Sequence, residues 1–411
     1  MTLTALSFLR LLNSDGRILF STRLVRLFAY GFLSVILALY LSQVGLSESA
    51  IGVLFTFTLL GDAGISLWIT TSADRIGRKR MLLLGAALMI FAGGVFALTG
   101  NFVILTIAAI IGVISPSGNE IGPFLSIEQA ALTQIVPDNQ RTRVFAWYNL
   151  VGSFATATGA LVSGTLAQFL QANGVAPLDS YRVIVIGYAA IGLVLAILFS
   201  RLSNNVETMR RVVSTRIGLH RSRNVVLKLS ALFALDAFAG GFIVQSLIAY
   251  WFQARWGVEP GILGTIFFGA NILAGISALS AARIAKRIGL INTMVFTHIP
   301  SNILLMLVPL MPNLPLAIFV LLVRFSISQM DVPTRQSYTM AVVDPDERSA
   351  ASGVTTIARS IGAAWSPSLT GALFAASFLS APFFLAGGLK IIYDVIIWKS
   401  FSAVKPPEEK G

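Results

Sequence analysis

"VLKLSALFALDAFAGGFIVQSLIAYWF", residues 226–252, decides the fold, because it is an apolar run long enough to cross a lipid bilayer. A helix needs about 20 predominantly apolar residues to span the hydrocarbon core. One aspartate, Asp236, lies near the middle of this run. A charge at membrane depth costs several kcal/mol unless it meets a partner or water. We therefore expect Asp236 to belong to an ion pair or to a transport site.

The composition extends this reading to the whole chain. Hydrophobic residues make up 55% of the 411 residues and charged residues only 12%, whereas a soluble domain carries about 25% charged residues. A membrane β-barrel would show short alternating strands instead of long apolar runs. We therefore predict an all-α integral membrane protein with 12 transmembrane helices. The predicted spans are 22–42, 49–70, 81–99, 102–126, 144–170, 182–200, 226–252, 259–282, 290–310, 315–335, 349–377 and 380–399.

The basic residues predict the orientation. Most of the 30 Lys and Arg residues fall in alternate loops or at their membrane edges. Cytoplasmic loops carry such an excess, so both termini are predicted to be cytoplasmic. The net charge of +12 is explained by this topology and by anionic lipid headgroups, and no nucleic-acid partner is expected. The absence of an N-x-S/T sequon is compatible with a bacterial inner membrane, which we predict as the location.

The two halves of the chain resemble each other. "EQAALTQIVPDNQR" (128–141) aligns with "RQSYTMAVVDPDER" (335–348) at an offset of 207 residues. Gly31 pairs with Gly241 at an offset of 210, and Gly164 with Gly371 at 207. These matches indicate a duplicated six-helix unit.

The longest basic loop separates the two copies. We predict an N-terminal six-helix bundle at 1–200, a basic cytoplasmic linker at 201–225 and a C-terminal six-helix bundle at 226–411. Two homologous bundles are typical of transporters that rock around a substrate site near the midplane of the membrane.

"TTSADRIGRKR" (70–80), between spans 2 and 3, resembles the loop signature of the major facilitator superfamily, G-x-x-x-D-R-x-G-R-R/K. The first glycine of that pattern is replaced by Thr70. The resemblance implies two pseudo-symmetric bundles and a monomeric transporter. The matching residues are Asp74, Arg75, Gly77, Arg78 and Lys79.

The resemblance also implies a gate. Asp74 is then expected near the N-terminus of span 11, where the helix dipole favours an anion and the contact would hold the cytoplasmic side closed. The alternative is a basic loop that only sets the topology and holds the chain at the anionic membrane surface.

Ionisable residues inside the predicted spans are the candidates for function. At about 3 kcal/mol each, unpaired placement would cost on the order of 25 kcal/mol, more than the stability of most domains. They must therefore pair or face a wet cavity. These residues are Arg26, Asp62, Glu120, Asp236, Arg324, Asp331, Arg359, Lys390 and Asp394.

Spacing predicts some partners. Arg324, Ser328, Asp331 and Arg335 recur at helical spacing and form one polar stripe down span 10. Lys390 and Asp394 are four residues apart and are predicted to form a structural bridge within span 12.

Other candidates have two readings each. Glu120 lies in a segment rich in proline and glycine, where it either lines the cavity or braces a kink. His298 adjoins Pro300 in span 9, and a structural hydrogen bond is favoured there over a proton relay. Asp62 and Ser66 share one face of span 2.

Arg26 and Asp236 occupy matching places in the two repeats, at the same offset of 210 as the glycine pair. We expect them to form a bridge between the bundles that makes and breaks during transport. The alternatives are that Arg26 extends to the cytoplasmic surface and that Asp236 forms a static pair with another arginine. Protonation of Asp236 on separation would then couple a proton to the conformational change.

The predicted function is secondary active transport of a small-molecule substrate by alternating access, coupled most simply to protons, as efflux or as symport. No nucleotide-binding P-loop occurs, and no catalytic cluster, metal site or cofactor is expected. The alternatives are a uniporter or anion exchanger, with Arg324 and Arg359 binding the anion, and a non-transporting solute sensor. Candidate substrate or coupling residues are Arg26, Asp62, Glu120, Asp236, Arg324, Asp331 and Arg359.

Overall fold

A computed structural model describes residues 12–120, 122–136, 141–207, 220–344 and 347–402. All regular structure in these segments is helical. The α-helices are α1 Ser14–Ser34, α2 Leu37–Gln43, α3 Glu48–Ile76, α4 Arg78–Leu98, α5 Phe102–Ile111, α6 Phe124–Ile135, α7 Arg141–Ala172, α8 Pro177–Ser200, α9 Arg223–Gly241, α10 Gln245–Trp256, α11 Pro260–Ile288, α12 Leu290–Leu307, α13 Leu314–Ile327, α14 Asp331–Val342, α15 Arg348–Ala375 and α16 Ala381–Phe401.

The helices fit a membrane-spanning chain. Within the described segments, nine stretches are long and apolar enough to cross a membrane, and α1 with α2, bent by 43°, makes a tenth. Helix α15 covers the predicted span 11 but is not among them, because its sequence interrupts the apolar residues with Ser, Thr and Arg. The all-α membrane fold predicted from the sequence is confirmed.

The predicted fourth span is not one continuous helix. Helix α5 ends at Ile111 and α6 begins at Phe124. Between them lie Pro116 and Pro123, and Gly118 and Gly122 have positive φ values of 70° and 79°. Proline cannot donate a backbone hydrogen bond, and a positive φ leaves the helical region. The break moves the second half of this span toward the C-terminus, from the predicted end at 126 to Ile135.

The chain divides into two compact units. The first comprises Met1–Leu46, Gly61–Val213 and Glu259–Phe268, and the second comprises Ser47–Leu60, Ser214–Val258 and Gly269–Gly411. The predicted domain boundaries at 201 and 226 stay predictions.

Each unit has its own packing. In the first unit, α1 packs along α7 and α4 along α8. In the second unit, α9 packs along α15. Helices α9, α12, α14 and α16 also meet in a buried apolar cluster that includes Phe233, Met294, Tyr338 and Tyr393.

The matched glycines of the repeat occupy equivalent helix crossings. A Cβ atom on Gly31 of α1 would lie 2.0 Å from the backbone oxygen of Thr156 on α7. A Cβ atom on Gly241 of α9 would lie 2.4 Å from the backbone oxygen of Ala363 on α15. Small residues let membrane helices approach this closely, which gives the match found in the sequence a physical reason.

We expect Gly31→Ala to reduce the yield of folded protein sharply, because the new methyl group meets backbone that cannot move aside. Gly94→Ala in α4 is the matched control, since nothing lies within 4 Å of its Cβ position. Fluorescence-detected size-exclusion chromatography of detergent extracts measures both variants. Equal monodisperse yields for the two variants would contradict the close crossing.

Candidate functional site

The first unit holds a buried ionic cluster of Arg23, Arg26, Glu120 and Glu128, which we call the first cluster. Arg26 has 0% exposure and donates from Nη1 and Nη2 to the two oxygens of Glu128 at 2.7 and 2.8 Å. Its Nε donates to Glu120 at 2.9 Å, and Arg23 donates to the second oxygen of Glu120. The bidentate fork is the strongest common form of arginine–carboxylate pairing.

Three segments place these side chains together. Arg23 and Arg26 lie one turn apart on α1, and Glu120 lies in the break before α6. The restarted helix α6 carries Glu128, which also accepts hydrogen bonds from Thr22 at 2.7 Å and from the hydroxyl of Tyr148 on α7. Glu120 was expected either to line a cavity or to brace a kink. It lies at the break in the helix and binds both arginines there.

Glu128 is the member of the first cluster, besides Arg23, that the sequence did not mark as a candidate. Its block was used only to align the repeats, and it lay beyond the predicted span end at 126. Glu128 is fully buried. The signal that could have found it is Pro123, which starts a new helix and carries the apolar span further along the chain.

Asp62 stands apart from the first cluster. Its Oδ1 accepts hydrogen bonds from the backbone N–H of Gly122 at 2.7 Å and from Ser66 at 3.1 Å. The Ser66 contact agrees with the shared face expected from the spacing. Among the residues that the structure describes, no Lys or Arg forms an ion pair with Asp62. Asp62 is thus a hydrogen-bonded carboxylate without a counter-cation.

The second unit holds a larger ionic cluster around Asp236, the second cluster. Lys390 donates to Asp236 Oδ1 at 2.6 Å. Arg359 and Arg335 donate to its Oδ2 at 3.0 and 3.1 Å, so three cations hold one carboxylate that is 3% exposed. The cluster consists of Asp236, Asp331, Asp394, Arg335, Arg359 and Lys390.

The bridge predicted within span 12 is wrong. Lys390 binds Asp236 on α9 and not Asp394. Asp394 instead accepts from Asn302 at 3.2 Å and lies 2.9 Å from Nδ1 of His298. The structural hydrogen bond expected for His298 is therefore present. Lys390 binds a carboxylate on another helix and not the one four residues further along its own helix.

Arg26 and Asp236, predicted to pair with each other, each contact other residues. Glu128 and Glu120 bind Arg26, and Lys390, Arg359 and Arg335 surround Asp236. The matching sequence positions do hold equivalent roles, because each residue anchors the ionic cluster of its own unit.

The polar stripe of span 10 lies on one buried face, although the helix is broken between α13 and α14. Asp331 accepts from Arg335 at 3.0 Å. Arg324, two turns before Asp331, is 8% exposed, and its Nε is buried without a hydrogen-bond partner. Its guanidinium carbon lies 4.8 Å from the centre of the adjacent Phe325 ring. No carboxylate of the described residues forms an ion pair with it.

In each unit, one charged group remains after the charges of its ionic cluster are balanced. In the first cluster, Arg23 and Arg26 balance Glu120 and Glu128, which leaves the carboxylate of Asp62. In the second cluster, the three cations match the three aspartates, which leaves the guanidinium of Arg324. Across the described residues, no group of three or more His, Asp or Glu side chains is placed to hold a metal ion.

The signature loop is docked against the segment that follows α8. Gly77 has a φ of +117°, which favours glycine at this turn. Glu207 accepts from the backbone N–H groups of Arg78 at 2.7 Å and Lys79 at 3.1 Å. Lys79 Nζ donates to the backbone oxygen of Leu202 at 2.7 Å.

The side chains of the signature loop differ in exposure. Arg78 is buried and bonds to the backbone oxygen of Val206 at 3.3 Å, so it stabilises the loop rather than facing lipid headgroups. Arg75 is exposed. The side chain of Asp74 lies outside the described part of the chain, and its predicted gate role stays a prediction.

A second carboxylate cap holds the start of α9. Glu347 accepts hydrogen bonds from the backbone N–H of Arg221 and Ser222, each at 2.9 Å, and from that of His220. Burial alone would raise the pKa of Glu347, but these backbone hydrogen bonds lower its pKa to about 2. The carboxylate therefore stays charged and satisfies backbone donors at a helix N-terminus.

We expect Arg26→Leu to destabilise the protein by about 3–5 kcal/mol, because it leaves Glu128 buried without its main partner. The double variant Arg26→Leu with Glu128→Leu should recover much of this loss, since both charges are removed. Thermal unfolding of detergent-purified protein measures the difference.

Arg182→Leu is the matched control for a broken surface pair. Its side chain is 39% exposed and binds Asp179 at 2.7 Å, and exposed pairs are worth about 0–1 kcal/mol. A single Arg26→Leu variant as stable as the double variant would refute the buried pair.

Comparison with known proteins agrees with this architecture. The family described as Major Facilitator Superfamily matches residues 19–367. An uncharacterised membrane protein of Saccharomyces cerevisiae is 30% identical over 425 residues, covering 95% of each chain. The quinolone resistance protein NorA of Staphylococcus aureus is 25% identical over 138 residues, 34% of each chain.

Solved structures show the same fold. A bacterial homologue of the human lysosomal transporter Spinster superposes with a TM-score of 0.69 at 14% identity, covering 94% of this chain and 95% of that one. The helical architecture, the signature loop and the family match lead to one conclusion: the chain belongs to the major facilitator superfamily of membrane transporters.

Proposed function

We propose that this transporter moves a small solute by secondary active transport coupled to protons, and that Asp62 is the carboxylate that carries the proton. The observation behind this proposal is the pairing pattern. Asp62 accepts hydrogen bonds from a backbone N–H and a hydroxyl and forms no ion pair with a described Lys or Arg, whereas the carboxylates of both clusters contact cations or His298.

Protonation is easiest where the loss of negative charge breaks no ion pair. Protonating Asp236 would leave three cations without their shared counter-charge, and protonating Glu128 would leave Arg26 without its bidentate partner. Asp62 accepts both of its hydrogen bonds, from a backbone N–H and a hydroxyl, at Oδ1, so a proton on Oδ2 breaks neither of them. A carboxyl group that binds and releases a proton during each transport cycle needs an environment like that of Asp62, in which protonation breaks no ion pair.

The other members of the candidate set have structural support roles in this proposal. Glu120 and Asp331 hold arginines in place, and Arg359 holds Asp236. Apart from Asp62 and Arg324, the charges of the candidate set are then paired within their own unit, which suits the alternating access expected of this fold.

We propose that both termini face the cytoplasm and that a single chain is the transport unit. The basic loops alternate in that phase along the sequence. The bacterial inner membrane stays a prediction, and the relative from Saccharomyces cerevisiae extends the family match to a eukaryote.

The test of proton coupling uses purified protein reconstituted in liposomes. Solutes that raise the apparent unfolding temperature of the wild type serve as substrates. A gradient of one pH unit supplies about 1.4 kcal/mol per proton, enough for about tenfold accumulation at one proton per solute. We expect Asp62→Asn to abolish accumulation while exchange at equal pH continues.

Asp179→Asn is the control, because it makes the same chemical change at an exposed position. Accumulation by Asp62→Asn at the wild-type level would remove Asp62 from the coupling step. Wild-type transport that ignores the pH gradient would establish a uniporter or exchanger, and binding without transport would establish a sensor.

The orientation is tested with a reporter that distinguishes the two sides of the membrane. Fused after Gly411, it should report the cytoplasm, and inserted near Val175, between α7 and α8, the opposite side. Reports from the same side would contradict the proposed topology.

A further inference from the structure

Arg324 is a buried cation that forms no ion pair with any carboxylate of the described residues. It lies on the buried face of α13, with Ala317 and Leu321 on the same face. Its exposure is 8%, its Nε has no hydrogen-bond partner among the described residues, and its guanidinium lies over the ring of the adjacent Phe325. An arginine side chain is effectively always charged and has five N–H donors.

A buried guanidinium left in this state is expensive. Leaving a buried polar group unsatisfied destabilises the folded chain, and a charged group more than a neutral one. Asp331 lies further along the same face, but its carboxylate is bound to Arg335 at 3.0 Å. The chain therefore keeps an arginine whose hydrogen-bonding capacity its own residues leave largely unused.

We infer that Arg324 is the anchor for the anionic group of the transported solute, and that this solute carries a carboxylate. The planar fork of arginine fits a carboxylate in bidentate fashion. The second cluster with Arg324 has one more cation than carboxylates, so one negative charge completes the balance. This inference deepens the function proposed above. It rests on that proposal only in assuming that the chain transports a small solute.

The depth of Arg324 separates a solute from a lipid headgroup. The span Leu314–Val342 has 29 residues. At 1.5 Å per residue, Arg324 lies roughly 15 Å from one end and roughly 27 Å from the other. A phospholipid headgroup stays at the membrane surface, whereas a transporter of this type binds its solute near the midplane.

The experiment measures thermal unfolding of the purified chain with defined probes. Benzoate and acetate are compared with benzamide and acetamide, their uncharged counterparts, and with inorganic phosphate, all at one ionic strength set with chloride. We expect the two carboxylates to raise the apparent unfolding temperature of the wild type by a few degrees in a concentration-dependent way. The amides and phosphate should have little effect.

The variants assign the response to one side chain. Arg324→Gln should weaken apparent carboxylate binding by about 10- to 100-fold, the loss expected for a charged hydrogen-bonded contact. Arg324→Lys, which keeps the charge without the fork, should bind with intermediate strength. Arg255→Gln is the matched control at an exposed position and should respond as the wild type does.

Stability without ligand gives a second readout. Removing an unpaired buried charge relieves a cost, so Arg324→Gln without carboxylate should unfold at the same temperature as the wild type or higher. Arg335→Gln, which breaks two ion pairs, should unfold lower. A large destabilisation by Arg324→Gln would mean that the side chain has a structural partner, and would overturn the inference.

Three other results would also overturn it. These are carboxylates that stabilise the wild type no more than their amides, a carboxylate response that persists in Arg324→Gln, and stabilisation by phosphate alone. None of them depends on a proton gradient. Failure of proton coupling and failure of this inference are therefore distinguishable, because an Asp62→Asn protein can still be tested for carboxylate binding.

Discussion

Lipid offers a buried charge nothing to bind, so a charge inside this chain is stabilised chiefly by partners that the chain itself supplies. Arg26 and Glu128 meet this constraint most completely, through a bidentate pair with no exposure to solvent. The same requirement ties α1 to α6 and α7 in the first unit. In the second unit, Asp236 ties α9 to α14, α15 and α16. Apolar packing brings helices together, and the ion pairs select which faces meet.

The lipid constraint also explains why so much of the fold could be predicted. Apolar runs interrupted by charge mark membrane helices strongly, and most predicted spans coincide with observed helices to within several residues. The match of Gly31 with Gly241, which predicted only a repeat, falls at two equivalent helix crossings. The backbones at such a crossing lie so close that only glycine fits. The crossing is therefore visible in the sequence as a glycine.

The partners of the charges were much harder to predict, because they depend on which helices are neighbours. The i, i+4 spacing predicted that Lys390 pairs with Asp394, but Lys390 binds Asp236 on α9 at 2.6 Å. The repeat predicted that Arg26 pairs with Asp236, but each of the two residues binds partners within its own unit. Glu128 was overlooked because the break before α6 shifted it into the membrane. Sequence identifies which charges are buried, and packing decides what they bind.

The two charges without an ion-pair partner have opposite signs, which bears on the two proposals together. Among the charged groups described above, Asp62 is a carboxylate and Arg324 a guanidinium for which the described residues form no ion pair, so their charges cancel. A proton on Asp62 alone leaves a net positive charge, and a carboxylate at Arg324 alone leaves a net negative one. If both proposals hold, the described charges inside the membrane balance when both ligands are absent or both are bound, and net charge is costly there. On these proposals, charge balance favours movement of the proton together with the anion, which is symport.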